Sequence, residues 1–108
     1  MPYNLCMSQA QIARCNRALL GEQIAETTIT RTWDGRTTLE QVVVLDADGI
    51  RRVIGALRAR PEPGDDLPVE RWDGATLEEI NVSYLADTLE LVLEEAEEDP
   101  NLLQGVCL

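Results

Sequence analysis

Carboxylates are the one reactive group this chain carries in quantity. Twenty Asp and Glu stand against nine basic residues, all of them Arg, with no Lys and no His. Without His the chain lacks the usual group that exchanges protons near neutral pH, and the commonest nitrogen ligand for metals. Without Lys, Schiff-base chemistry is closed. Ser8 and Ser83 are the only serines, and no imidazole exists to activate either. The seven glycines are dispersed singles, so no phosphate-cradling loop is present. A paired-carboxylate hydrolase remains chemically open, yet a chain with four aromatics and no His or Lys has little to line a substrate pocket.

The cysteines and loop acids lead no further. Cys6, Cys15 and Cys107 form an odd set without C-x-x-C spacing, too few for a four-thiolate zinc site and with no His to complete one. They read as reduced thiols; the alternatives are a disulfide from an N-terminal cysteine to Cys107, or a bridge between chains. Asp46-Ala47-Asp48-Gly49 starts like a calcium loop, but Ile50 opens an apolar stripe where later ligands would stand, so helix capping accounts for it better. Glu62, Asp65 and Asp66 read as hydrated loop acids. The expectation is no catalytic residue, no metal and no cofactor.

What the carboxylates offer instead is a field. Residues 1–60 hold eight Arg against six acids, a net of +2; residues 61–108 hold Arg71 against fourteen acids, a net of −13. Charge of that size repels nucleic acid and anionic lipid and attracts a basic surface. The expected partner is therefore a basic protein, with no direct nucleic-acid binding and no membrane. From Asp87 to Asp99, seven acids fall within about 18 Å of helix, roughly one per 2.6 Å. Duplex DNA presents about one charge per 1.7 Å of axis. On a helical wheel Glu79, Asp87, Glu90, Glu94, Glu97 and Glu98 share the sector opposite the apolar residues, and these six are the candidate partner-binding set. Like charges at Glu90/Glu94 and Glu94/Glu98 weaken a helix, and acids at its negative end are unfavourable. A partner would compensate; so would Arg51, Arg52, Arg58 and Arg60 within the chain, or solvent alone.

The elements that hold these groups are read from periodicity. Ser8 caps a helix running to about Leu20, with Ile12, Cys15 and Leu19 on one face and Gly21 as the stop. Residues 24–33 and 37–45 suit strands, and Asp34-Gly35 between them supplies the two positive φ angles of a type I′ hairpin. Ile50, Val53, Ile54 and Leu57 mark an amphipathic helix capped by Asp46 or Asp48 and ended by Pro61. Residues 61–68, rich in Pro, Gly and Asp, form a loop between the near-neutral and acidic halves. A third strand is placed at residues 69–72. Thr76-x-x-Glu79 has capping-box spacing and opens a long helix over residues 76–98, packing over the hairpin. Asn81-Val82-Ser83 is its weakest stretch. Leu102, Leu103, Val106 and Leu108 make a tail apolar enough to dock. Trp33 and Trp72 read as core or turn-packing residues. Because Trp72-Asp73-Gly74 echoes Trp33-Asp34-Gly35, a degenerate ββα repeat, with residues 76–83 as a strand, is the alternative.

The fold class is α+β, one domain over residues 1–108. No secretory leader and no apolar span of about 20 residues is found, so the expected location is cytoplasmic. The functional expectation is a non-enzymatic acidic inhibitor of a basic, nucleic-acid-handling protein, a nucleic-acid mimic of the phage or mobile-element anti-defence kind. The rivals are a toxin-neutralising immunity protein and an oligomerising structural module, a homodimer formed through the apolar face of the long helix (Leu89, Val92, Leu93).

Overall fold

In the computed structural model, which describes residues 2–99 and 104–108, the chain is a small α+β fold. Its elements run β1 (Tyr3–Cys6), α1 (Gln9–Ala18), β2 (Glu26–Trp33), β3 (Arg36–Leu45), α2 (Ala47–Ala59), a 3-10 turn (Val69–Arg71), α3 (Leu77–Val82), α4 (Leu85–Glu98) and β4 (Gln104–Cys107). The sheet order is β2-β3-β1-β4, antiparallel except where β4 joins β1 in parallel.

Local chemistry explains most boundaries. Ser8 and Gln11 complete a reciprocal capping box at α1, and the chain leaves that helix through two left-handed residues, Leu20 and Gly21. Asp34 (φ 49°) and Gly35 (φ 73°) make the type I′ turn, closing a β2–β3 register that runs unbroken from Trp33/Arg36 to Glu26/Val43. Asp46 caps α2 by accepting from the Gly49 N–H at 2.7 Å.

The core lies between one face of the sheet and three helices. Leu5 and Val43 from the sheet meet Ile12 and Cys15 of α1, Ile50, Val53 and Leu57 of α2, and Leu85, Leu89, Val92 and Leu93 of α4. Leu89, Val92 and Leu93 are thus spent inside their own chain, which removes the helix face through which a homodimer was expected. Tyr3 packs against them, but neither tryptophan joins them: Trp33 is 75% exposed and Trp72 38%. Each indole N–H is bonded at a turn instead, to Asp34 Oδ2 and to the Leu67 carbonyl.

Several expectations are corrected here. Residues 69–72 form a 3-10 turn, not a third strand. The strands beside the hairpin are β1 and β4, both too short for alternation to reveal them. The long helix is two helices. Ser83 is extended and Tyr84 left-handed (φ 56°), so α3 leans on α1 while α4 lies against α2 rather than over the hairpin. The poor formers Asn81-Val82-Ser83 stand at the break, and loop 61–68 captures it. Ser83 Oγ donates to the Leu67 carbonyl at 3.0 Å, and the Tyr84 N–H donates to the Asp65 carbonyl. Residues 76–83 are therefore cap and helix. The second Trp-Asp-Gly is a turn into α3 rather than a hairpin, so the ββα repeat does not hold. Of the apolar tail, Leu102 and Leu103 lie outside the described residues, while Leu108 packs against the core.

Candidate functional site

The sequence-derived acidic face divides into three parts. The first is a seam of ion pairs between α2 and α4. Arg58 reaches Asp87 at 3.0 Å and also Glu90, while Arg51 binds Glu97 at 2.6 Å and Asp48 at 3.2 Å. Early α2 meets late α4 and the reverse, so the two helices are antiparallel and their opposite charges face each other. Hydrogen bonds to Glu90 and then Asp87 push the Arg58 guanidinium above its ordinary value. Asp48 is almost wholly in water and the other side chains about half, where such pairs are screened by solvent and salt and add little to stability. Arg52 and Arg60 do not join the seam: Arg52 pairs with Glu22, and Arg60 donates to the Ala18 carbonyl.

The second part is Glu79, which lies on α3, not α4. Its carboxylate accepts from the Thr76 N–H at 2.7 Å as half of a capping box. The third part is Glu94 and Glu98, joined by Glu95. All three are exposed on the last turns of α4, and among the described residues none has an ion-pair partner. The helix dipole disfavours them there, and they repel one another.

Periodicity missed a second charged cluster altogether. Arg14 is wholly buried, on an α1 face shared with Gln11, Cys15 and Ala18. It clasps Asp65 through Nε (3.0 Å) and Nη2 (2.7 Å), donates to the Arg60 carbonyl at 2.7 Å, and sets Nη1 3.3 Å from Glu62. Glu62 also pairs with Arg17 on the surface. Burial pushes the Asp65 carboxyl up, but hydrogen bonds from Arg14 and the Glu62 N–H, with the charges of Arg14 and Arg17, outweigh it and hold it below the ordinary aspartate range. The hydrogen bond to Asp65 raises Arg14 further, against its desolvation. The available signal was Glu62-x-x-Asp65 in a loop otherwise made of Pro and Gly.

Beside this clasp a cleft of about 250 Å³ opens between the end of α2, loop 61–68 and the start of α4. Buried Leu57 and Leu85 line it together with exposed Pro61, Asp66 and Tyr84. Three of its carboxylates are already committed, Glu62 to Arg14 and Arg17, Asp65 to Arg14, and Asp87 to Arg58. Such a lining can receive an apolar or cationic side chain; it does not set a free acid opposite a free base.

Among the described residues, no group of three or more Cys, Asp and Glu is arranged to hold a metal ion. No described helix is long and apolar enough to cross a membrane. On the sheet face away from the core, Cys6 Sγ lies 3.5 Å from Glu40 and 3.9 Å from Arg31, and in the β1–β4 register Cys6 aligns with Cys107. Cys15 sits in the core, where burial pushes its thiol up to about 12 despite the nearby Arg14 charge. Thiolate is the nucleophile, so Cys15 is expected to resist iodoacetamide in the folded chain at pH 8 and to react once urea unfolds it; alkylation in the native state at the unfolded rate would contradict its placement. The raised value also has a sign for stability. The unfolded thiol ionises near 8.5 while the folded one keeps its proton, so stability falls as pH climbs from there toward 12.

Set against known proteins, the chain matches no family model, no curated protein and no solved structure.

Proposed function

We propose that the chain is a non-enzymatic binding protein that inhibits a basic, nucleic-acid-handling protein by presenting carboxylates from the end of α4. The observation that carries this is the uncompensated trio Glu94, Glu95 and Glu98: three exposed acids, without counter-ions among the described residues, at the helix end where acids are least favourable. The seam narrows the face. Asp87, Glu90 and Glu97 are already answered by Arg58 and Arg51, so a partner's guanidinium meets the trio first and competes for the others. The half-exposed pairs are weak enough to be exchanged for intermolecular ones at little cost. A mimic of this kind works in the cytoplasm of a host whose nucleic-acid-binding enzymes it occupies, as phage and mobile-element anti-defence proteins do.

Capture from host lysate on the tagged chain, at low and moderate salt, is expected to recover a basic nucleic-acid-handling protein whose retention falls steeply with ionic strength. Reversing the trio (Glu94→Arg, Glu95→Arg, Glu98→Arg) is expected to weaken that retention about tenfold or more, because like charges then meet across the contact. The melting temperature should hold, since none of the three supports the core. Equal retention by the reversed chain, or retention indifferent to salt, would sink the proposal.

A further inference from the structure

Apart from the charge of Glu26 at its start, the outer edge of β2 carries few of the devices that keep a sheet edge solitary. β2 is the terminal strand, eight residues long, and every one of its residues is exposed or half-exposed. It contains no Pro and no Lys, and its register with β3 has no bulge. Arg31, its one basic residue, is drawn back to Glu40 on β3 rather than standing over the edge. Exposed Trp33 and Leu39 (75% each) flank the tip of the same hairpin.

Which backbone groups face outward follows from the ladder. The Val44 N–H donates to the Ala25 carbonyl, so Ala25 belongs to a hydrogen-bonded pair. In an antiparallel ladder such pairs alternate. Thr27, Ile29, Arg31 and Trp33 therefore bond inward to β3, while Glu26, Thr28, Thr30 and Thr32 turn N–H and C=O to the open side.

We propose that this edge pairs with the same edge of a second copy, joining two sheets about a two-fold axis at Ile29. An antiparallel two-fold pairing keeps like faces together, so only registers that centre on a residue are allowed. Centred on Ile29, the outward residues pair as Glu26 with Thr32 and Thr28 with Thr30, each twice, giving about eight backbone hydrogen bonds. Thr27 then stands opposite Arg31 of the second copy, Ala25 opposite its Trp33, and no like charges meet. Centred on Thr30, Glu26 would face Asp34 twice, which is unfavourable. Charge favours this location too. The hairpin from Glu26 to Leu45 holds two Arg and three acids, close to neutral within a chain of net charge −11, so a second copy meets little repulsion here and far less than at the acidic half.

Sedimentation equilibrium tests the pairing. The mass is expected to rise from 12.0 kDa toward twice that value between about 1 μM and 1 mM chain. Thr30→Pro removes only an outward N–H, so the hairpin should survive by circular dichroism while the dimer is lost. Thr27→Arg sets like charges against Arg31 and is expected to weaken association about threefold or more; Thr27→Glu sets opposite charges there and is expected to tighten it about threefold. A chain that stays at 12.0 kDa throughout, including one that accepts an extended peptide instead, overturns self-pairing. So does a dimer untouched by Thr30→Pro, or one that the two Thr27 variants shift in the same direction. None of these outcomes bears on the carboxylates of α4, which are tested separately.

Discussion

Arg14→Ala is expected to lower the unfolding free energy by about 3–5 kcal/mol, the range found when one partner of a buried ion pair is removed. The side chain is wholly buried; Nε and Nη2 donate to Asp65 and the Arg60 carbonyl, while Nη1, without a hydrogen bond among the described residues, faces Glu62 only as an ion pair. Removing it strands Asp65, which itself accepts from the Glu62 N–H and whose carbonyl receives the Tyr84 N–H. Loop 61–68 is thus anchored on one side to Arg14 and on the other to the α3–α4 break, and loosening it frees both. Against a total of about 5–15 kcal/mol for an ordinary domain, this is a large share, and the melting temperature is expected to drop by roughly 15 °C or more. Arg14→Met, which keeps apolar volume in the same slot, should lose less. A loss below about 1 kcal/mol for Arg14→Ala in urea titrations would show that the clasp is ornamental.

Acid should reveal the same clasp. Asp65 is held below its unfolded value near 3.9, so its contribution is complete above that pH and is lost as pH falls through the lower folded value. Arg14→Ala removes the main force holding it down and leaves burial, which acts upward, opposed only by the Glu62 N–H and the Arg17 charge. The acid limb of the stability profile should accordingly move to higher pH in the variant.

The second large effect belongs to Leu89→Ala, expected to cost about 3–4 kcal/mol. Leu89 is fully buried in the midst of α4's apolar face, where it joins a core drawn from the sheet, α1 and α2. The urea midpoint should fall with an unchanged slope, because the cavity alters stability rather than the surface exposed on unfolding. Paired with the reversal of Glu94, Glu95 and Glu98, this variant separates the two faces of one helix. One should change stability and spare partner contact until the fold fails, and the other should do the opposite. If Leu89→Ala left stability unchanged, α4 would not be docked as described.

What could be read from the chain was what repeats at short range. The 3.6-residue stripe of α2, the Ser8 cap of α1 and the Asp34-Gly35 turn each announce themselves within ten residues, and all three stand. β1 and β4 could not be read, because a four-residue strand earns its identity from the neighbour it pairs with, and each lies far from its neighbour in sequence. The break at Tyr84 was hinted at by Asn81-Val82-Ser83 but is made by the hydrogen bonds that Ser83 and Tyr84 donate to the carbonyls of Leu67 and Asp65 in a loop well upstream. The acidic stripe was legible as a pattern and not as an environment. Helical phase sorted Asp87, Glu90 and Glu97 together with Glu94 and Glu98, yet only packing of α4 on α2 decides which of them meet arginine. Arg14 was illegible for the same reason. A charged residue on a mixed helix face looks solvated until a distant loop closes over it.

The parallel union of β1 with β4 also sets a timetable for synthesis. Asn4 aligns with Gln104, so β1 leaves the ribosome about a hundred residues before its second neighbour exists. At roughly 5–20 residues per second, that interval lasts on the order of 5–20 s. During it the β2–β3 hairpin and the antiparallel β1–β3 pairing can form from segments already made, while the other side of β1 waits, unsatisfied and open to any passing strand. The nascent chain is most exposed to wrong partners on that side, and a binding chaperone or an early stop in translation would act there first.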